Sequence, residues 1–162
     1  MASKGASERF GVDFLAVPSK PWDFSEWQLY ALEINLRQGG TTHPYETLRL
    51  TTWDGHFDPS TGLYMAGKDS AGKPQAKYYI ASDNVEDERY KGLLPSDLLT
   101  IMKENGIGFS HTTRTGAIFH MMGAISQFGK FGVTCIGNSY EEAEELYESI
   151  VEVLERETRV VK

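Results

Sequence analysis

The sequence has little cysteine, a deficit of positive charge and no long hydrophobic run. Its 162 residues include one cysteine, Cys135, so no internal disulfide can form and a reducing compartment fits best. No stretch approaches the roughly 18 consecutive apolar residues of a membrane-spanning helix, and the N-terminus lacks the apolar segment of a signal peptide. These absences predict a cytoplasmic protein. The apolar neighbours Val133 and Ile136, with no basic residue beside Cys135, predict a buried, unreactive thiol.

Acidic residues outnumber basic ones by 23 to 16, which gives a formal net charge of -7. Nucleic acids and anionic membranes are bound through basic surfaces, so the charge argues against both as main partners. It does not argue against a nucleotide, which needs only a small local site and a metal ion. The chain has 40% hydrophobic and 24% charged residues, as expected for one folded domain or one lobe of a larger protein.

Strand patterns and helix patterns are mixed along the chain, which predicts an α+β fold. We expect two strands at 11–17 and 27–36 to pair antiparallel across a loop at 19–26. The other expected strands are 61–66, 77–82 and 132–137. The expected helices are 45–52, 96–105 with Ser96 as its cap, 115–128, and one that follows a capping box at Ser139 and Glu142.

The strongest chemical signal is the run Glu33-Ile34-Asn35-Leu36-Arg37. Residues two apart on a strand point the same way, so the Glu33 carboxylate and the Asn35 amide can reach one hard cation such as Mg²⁺. Arg37 lies two residues further and offers a planar donor for phosphoryl oxygens. The same spacing also fits a solvent-facing polar side with an internal salt bridge, and spacing alone favours that second interpretation.

Residues 30–37 resemble the closing motif of ATP-grasp enzymes, hydrophobic-Glu-x-Asn-x-Arg, whose Glu and Asn bind magnesium and whose Arg approaches the phosphates. Residues 11–15 resemble the preceding strand, which carries a further acidic metal ligand in many members. The resemblance implies that Asp13, Glu33 and Asn35 bind Mg²⁺ or Mn²⁺. It also implies that Glu33, Asn35 and Arg37 bind the ATP phosphates, with Arg37 as the catalytic residue.

Two longer strings, 33–44 and 119–132, resemble the pheganomycin-type peptide ligases within that superfamily. This implies the C-terminal end of an ATP-grasp fold, with antiparallel strands and packed helices, at 1–52. It implies a ligase C-terminal domain with an α/β segment at 53–162. The implied reaction joins a small carboxylate and an amine, each an amino acid or peptide, into an amide through an acyl-phosphate.

The loop after the motif contains the candidate substrate-binding residues Gly39, Gly40, Thr41, Thr42 and His43. Two glycines let backbone approach a ligand, and their N–H groups can hold an oxyanion such as the acyl-phosphate or the incoming carboxylate. A turn with a helix cap at Thr42 is the other interpretation. Arg114 and Lys130 are assigned to the surface, with a role in holding an anionic substrate as the alternative.

In ATP-grasp enzymes the adenine pocket and the phosphate-contacting lysines lie upstream of the Glu-x-Asn strand. About 30 residues precede that strand here, with no lysine-bearing strand pair or Gly-rich lid. We therefore expect catalysis only together with an N-terminal ATP-grasp lobe. Two alternatives stay open: a non-catalytic binding or assembly domain that keeps the scaffold, and an unrelated α+β domain whose polar strand is structural.

Overall fold

A computed structural model describes residues 9–158, which form two compact units that divide between Tyr45 and Glu46. We call them the hairpin unit and the sheet unit. The strands are β1 Gly11–Lys20, β2 Asp23–Asn35, β3 His56–Asp58, β4 Leu63–Lys68, β5 Pro74–Glu86, β6 Gly116–His120 and β7 Lys130–Gly137. The α-helices are α1 Thr42–Thr51, α2 Pro95–Glu104, α3 Ile125–Phe128 and α4 Tyr140–Thr158, with 3₁₀ turns at Glu88–Tyr90 and Met122–Ala124. The predicted α+β class with antiparallel strands and packed helices is confirmed.

The hairpin unit is built on β1 and β2, which form a two-stranded antiparallel sheet as expected. The expected loop at 19–26 is wrong, because only Pro21 and Trp22 separate the two strands. Trp22 closes this turn in the left-handed region, with φ of 68°. Pro18 lies inside β1, which a two-stranded sheet tolerates because each strand has an edge without ladder hydrogen bonds.

A β-bulge interrupts the hairpin near its open end. Asp13 lies opposite Glu33, whereas the next residue, Phe14, lies opposite Ala31, so Leu32 is an extra residue on β2. A bulge of this kind breaks the period of two along a strand. The strict alternation that the sequence predicts through residues 27–36 therefore does not continue across Leu32.

The sheet unit contains a five-stranded sheet in the order β3-β4-β5-β7-β6, and all its neighbouring strands are antiparallel. Strand β7 is buried from Phe131 to Gly137, and α4 packs against β7 and β5. The start of α4 is capped by Ser139 and Glu142, nearly as the capping-box pattern predicts. The Ser139 hydroxyl accepts from the Glu142 N–H at 3.1 Å, and the Glu142 carboxylate accepts from the Asn138 N–H at 2.7 Å.

Two of the expected helices differ from the structure. Ser96 does not cap α2; the helix begins at Pro95, and the Asp97 carboxylate accepts from the Leu94 N–H at 2.8 Å. The expected helix at 115–128 is wrong, since β6 pairs with β7 over its first part and only Ile125–Phe128 is α-helical. Gly116 has φ of 125°, which lies outside the helical region. Glycine adopts this backbone conformation more readily than other residues.

The hydrophobic core of the sheet unit lies between this sheet and the helices α2 and α4. Its fully buried side chains include Leu98, Ile125, Phe131, Val133, Cys135, Ile150 and Leu154. Cys135 is a free, fully buried cysteine, which confirms the predicted burial, and this burial raises the pKa of its thiol to about 12. No helix within residues 9–158 is both long and apolar enough to cross a membrane.

Leu154→Ala tests this core assignment. The substitution removes buried apolar contacts and leaves a cavity, so we expect the free energy of unfolding to fall by about 2–5 kcal/mol. Urea denaturation followed by circular dichroism measures it. Glu152→Ala, on the exposed side of the same helix, is the control, with an expected change within about 0.5 kcal/mol. Equal effects of the two substitutions would contradict the packing of α4.

Candidate functional site

Two carboxylates and one amide come together at the open end of the hairpin. Asp13 lies directly opposite Glu33, and Asn35 follows two residues later on β2. Directly opposed residues of an antiparallel pair share a face, and so do residues two apart on one strand. The Asn35 Nδ2 donates to the Asp13 Oδ2 at 3.1 Å, which fixes these two side chains side by side. The three residues named as metal ligands from the sequence therefore lie on one face.

The bulge at Leu32 produces this arrangement. From Phe14 to Pro18 the register pairs residues whose numbers add to 45, as in Phe14 with Ala31. If that register continued, Asp13 would lie opposite Leu32 and on the other face from Glu33. With the extra residue, the sum becomes 46 and Asp13 meets Glu33. Bulges re-aim side chains next to sites in this way.

The donor set of this face suits a hard divalent cation. Asp13 and Glu33 are exposed, and like charges directly opposite each other on a sheet repel. Carboxylate and amide oxygens are the ligands that Mg²⁺ and Mn²⁺ prefer, and the Asn35 Oδ1 makes no hydrogen bond with any residue from 9 to 158. Over the same residues, no group of three or more His, Cys, Asp or Glu side chains could hold a metal ion. The hairpin cluster of Asp13, Glu33 and Asn35 is not such a group, because its third side chain is an amide.

Arg37 lies just past the end of β2, which finishes at Asn35. The spacing in the sequence suggests that Arg37 shares a face with Glu33. Because Arg37 lies outside the strand, strand pleating does not orient it onto that face. Its Nη1 donates to the neighbouring Gln38 carbonyl at 3.3 Å, and it forms no ion pair with a carboxylate in the described part of the chain. The alternative interpretation is a polar strand with an internal salt bridge. Glu33 and Arg37 do not form that salt bridge.

The loop after Arg37 forms a closed turn at the start of α1. The Gly39 N–H donates to the Thr42 Oγ1 at 3.0 Å, and the Thr42 N–H donates back to the Gly39 carbonyl at 2.9 Å. These two bonds are those expected of the turn with a helix cap at Thr42. Gly39 and Gly40 have no positive φ, and an added Cβ would meet nothing within 4 Å at either position. The local fold therefore does not require glycine here, and substrate binding by Gly39–His43 stays a prediction.

One charged pair of the structure is not predicted by any sequence pattern. Arg114, assigned to the surface, is half-buried, and its Nη1 donates to both carboxylate oxygens of Asp54 at 2.5 and 2.7 Å. This contact lowers the pKa of Asp54 from its ordinary value. Lys130 instead contacts the Asn84 amide oxygen at 2.7 Å. Sixty positions separate Asp54 from Arg114, so no local pattern could have joined them.

Comparison with known proteins gives two matches. Residues 97–150 match the family model described as the PGM1 C-terminal domain. Over 144 residues the chain is 28% identical to the L-propargylglycine--L-glutamate ligase of Streptantibioticus cattleyicolor, and this alignment covers 89% of the chain and 27% of that protein. No solved structure matches. The second match supports a relation between this chain and ligases.

Mn²⁺ binding tests the hairpin cluster. We expect Mn²⁺ to broaden the amide NMR signals around Asp13, Glu33 and Asn35, because the paramagnetic ion would sit on that face. Asp13→Asn and Glu33→Gln should each weaken Mn²⁺ binding by more than about tenfold. Mutation of residues that only hydrogen-bond to a metal ligand already lowers metal affinity by about that factor.

Glu26→Gln is the matched control for these variants, because Glu26 is an exposed carboxylate on β2 away from the cluster. It should leave the broadening unchanged. Broadening that persists in both cluster variants would contradict the site.

Proposed function

We propose that this chain is the C-terminal part of an ATP-dependent carboxylate–amine ligase, with the hairpin holding metal-bound ATP phosphates. The observation that carries the proposal is the shared face of Asp13, Glu33 and Asn35. The relative from S. cattleyicolor supports it, because its name describes a ligase of L-propargylglycine and L-glutamate. We extend the substrate class to this chain: a small carboxylate and an amine, each an amino acid or a peptide.

The reaction takes place in two steps. A substrate carboxylate oxygen attacks the γ-phosphorus of ATP, the bond to the β-phosphate breaks, and an acyl-phosphate and ADP form. The amine nitrogen of the second substrate then attacks the acyl carbon, loses a proton and expels phosphate, which leaves an amide. Both steps build negative charge on phosphoryl oxygens, so positive charge and hydrogen-bond donors beside those oxygens lower the barrier.

Each residue of the hairpin end has a role in this scheme. Asp13, Glu33 and Asn35 would hold Mg²⁺ or Mn²⁺, which when bound supplies positive charge that offsets the phosphate charge. Arg37 is exposed, and its Nη1 bond to the Gln38 carbonyl at 3.3 Å leaves other guanidinium N–H groups to donate to phosphoryl oxygens. The closed turn from Gly39 to His43 follows directly and would position the carboxylate or the acyl-phosphate.

The hairpin's exposed apolar surface supports a requirement for a nucleotide lobe. Phe14 is 58% exposed on β1, and Leu29, Leu32 and Ile34 are 67%, 65% and 51% exposed on β2. An isolated two-stranded hairpin is marginal in water, and apolar patches of this kind mark interaction surfaces. We infer that a lobe with the adenine pocket covers this surface and that catalysis needs it.

The same surface also favours the second candidate, a non-catalytic assembly domain that binds a partner through the hairpin. The two candidates differ in what they require of the charged residues. A ligase depends on Glu33 and Arg37 for turnover, whereas an assembly domain depends on apolar contacts such as those of Leu29 and Ile34.

A chimera tests the proposal. The chain replaces its matched segment in the L-propargylglycine--L-glutamate ligase, and ADP release is measured with both amino acids. We expect Glu33→Gln and Arg37→Gln to lower kcat/KM by at least about 100-fold, because each removes a group that acts on the transition-state charge. Glu26→Gln should have no effect.

Two results would count against the ligase. ADP release that is unchanged by both substitutions would contradict the roles of Glu33 and Arg37. The assembly domain would be favoured by a folded chimera that releases no ADP, if its separately expressed parts still associate through Leu29 and Ile34.

A further inference from the structure

The sheet unit contains a polar cleft of about 450 Å³ between the β4–β5 connection, the loop at 112–114 and the end of β7. Its lining includes Gly67, Lys68, Gln75, Lys77, Arg114 and Asn138. We propose that this cleft binds a small oxyanion, either the carboxylate of an amino acid or peptide, or a phosphate. The inference does not rest on the proposed function, because every residue of the cleft belongs to the sheet unit.

A buried ammonium group without a carboxylate partner is the first reason. Lys77 is 5% exposed, and its Nζ donates to the Asn138 Oδ1 at 2.6 Å and to the Thr113 carbonyl at 3.0 Å. Both acceptors are neutral, and the third N–H has no acceptor in the described part of the chain. Removing an ammonium from water without a counter-ion is costly. An oxyanion in the cleft would supply the missing negative charge.

The pKa of Lys77 moves in the direction that this burial requires. Desolvation lowers it from its ordinary value, the charge of Glu142 opposes the shift, and the charge of Arg114 adds to it. The Glu142 carboxylate accepts from the Asn138 N–H at 2.7 Å and forms no ion pair with Lys77. A negative ligand close to Lys77 would favour the charged form of this lysine.

The fixed position of Arg114 is the second reason. Arg114 has φ of 57°, in the left-handed region that non-glycine residues rarely occupy, and such strain is often found at functional sites. Its Nη1 is held by Asp54, while its Nε and Nη2 donate to no residue between 9 and 158. Two parallel donors of a guanidinium fork match the geometry of a carboxylate or a phosphate.

Gly67 allows the guanidinium to lie at this place. Its φ is 77°, and a Cβ there would come within 3.2 Å of the Arg114 Nη1. A side chain at position 67 would therefore press on the guanidinium as well as strain the backbone. The glycine, the left-handed Arg114 and the Asp54 carboxylate together fix one orientation of the guanidinium group at the edge of the cleft.

Two carboxylates at the cleft already accept hydrogen bonds. Asp54 is paired with Arg114, and Asp69, which belongs to the lining, accepts at its Oδ1 from the N–H groups of Ala71 and Lys73, both at 2.8 Å. Lys68 adds a third, exposed cation to the lining. The cleft therefore offers cationic donors, and its volume falls in the range of small-molecule sites.

An NMR titration of the full chain tests the inference. The probes are sodium acetate, L-glutamate and inorganic phosphate, with acetamide as the neutral isostere of acetate, all at one ionic strength. We expect saturable shifts of the Gly67, Thr113 and Asn138 amide signals with the oxyanions and none with acetamide. Tighter binding of the carboxylates would identify a carboxylate site, and tighter binding of phosphate would identify a phosphate site.

Variants decide whether the cleft is responsible. Arg114→Gln and Lys77→Met should each weaken binding by about tenfold, the size of one charge-assisted contact. Arg156→Gln is the matched control, because Arg156 is an exposed arginine that contacts Glu157 and Asn105. Arg114→Gln alters a group at the edge of the cleft, so it remains informative if Lys77→Met does not fold. Absence of saturable shifts in the millimolar range, or binding unchanged in Arg114→Gln, would overturn the inference.

Discussion

The register between β1 and β2 controls where the candidate oxygen ligands of the hairpin lie, because side chains alternate between the two faces of a strand. The two-residue turn at Pro21 and Trp22 joins the strands at one end, and the bulge at Leu32 corrects the register at the other. That correction brings the carboxylates of Asp13 and Glu33 onto one face and places them directly opposite each other. The arrangement that would bind a cation is therefore also one that repels itself without a cation.

Sequence reasoning succeeded where local patterns decide the structure. Runs of β-forming residues located β1 and β2, and the Ser139 and Glu142 signal located the start of α4. It failed where distant partners decide. Residues 115–128 have small and apolar side chains that fit a helix, yet the ladder with β7 makes 116–120 a strand. The Leu32 bulge has no local signal either, so the sequence could name Asp13 and Glu33 but not explain how they meet.

Uncompensated charge marks both candidate sites. In the hairpin unit, Asp13 and Glu33 are opposed carboxylates, and among residues 9–158 the Asn35 amide alone donates to one of them. In the sheet unit, Lys77 is a buried cation whose two acceptors are neutral. Other charged residues have a counter-ion, as in Arg89 with Asp87 at 2.7 Å and Lys91 with Glu88 at 2.7 Å. A charge that the fold leaves without a counter-ion indicates a ligand of opposite sign more strongly than composition does.

The two sites also differ in how firmly the fold holds them. The cleft residues sit on a sheet with a packed core, so the cleft is largely formed before a ligand arrives. The hairpin has two strands and exposed apolar side chains, so its paired register competes with unpaired states. Apparent affinity falls in proportion to the population of the binding-competent state. A lobe that covers the apolar surface would raise that population. It would thereby tighten the metal binding that we propose at Asp13 and Glu33, without contacting either carboxylate.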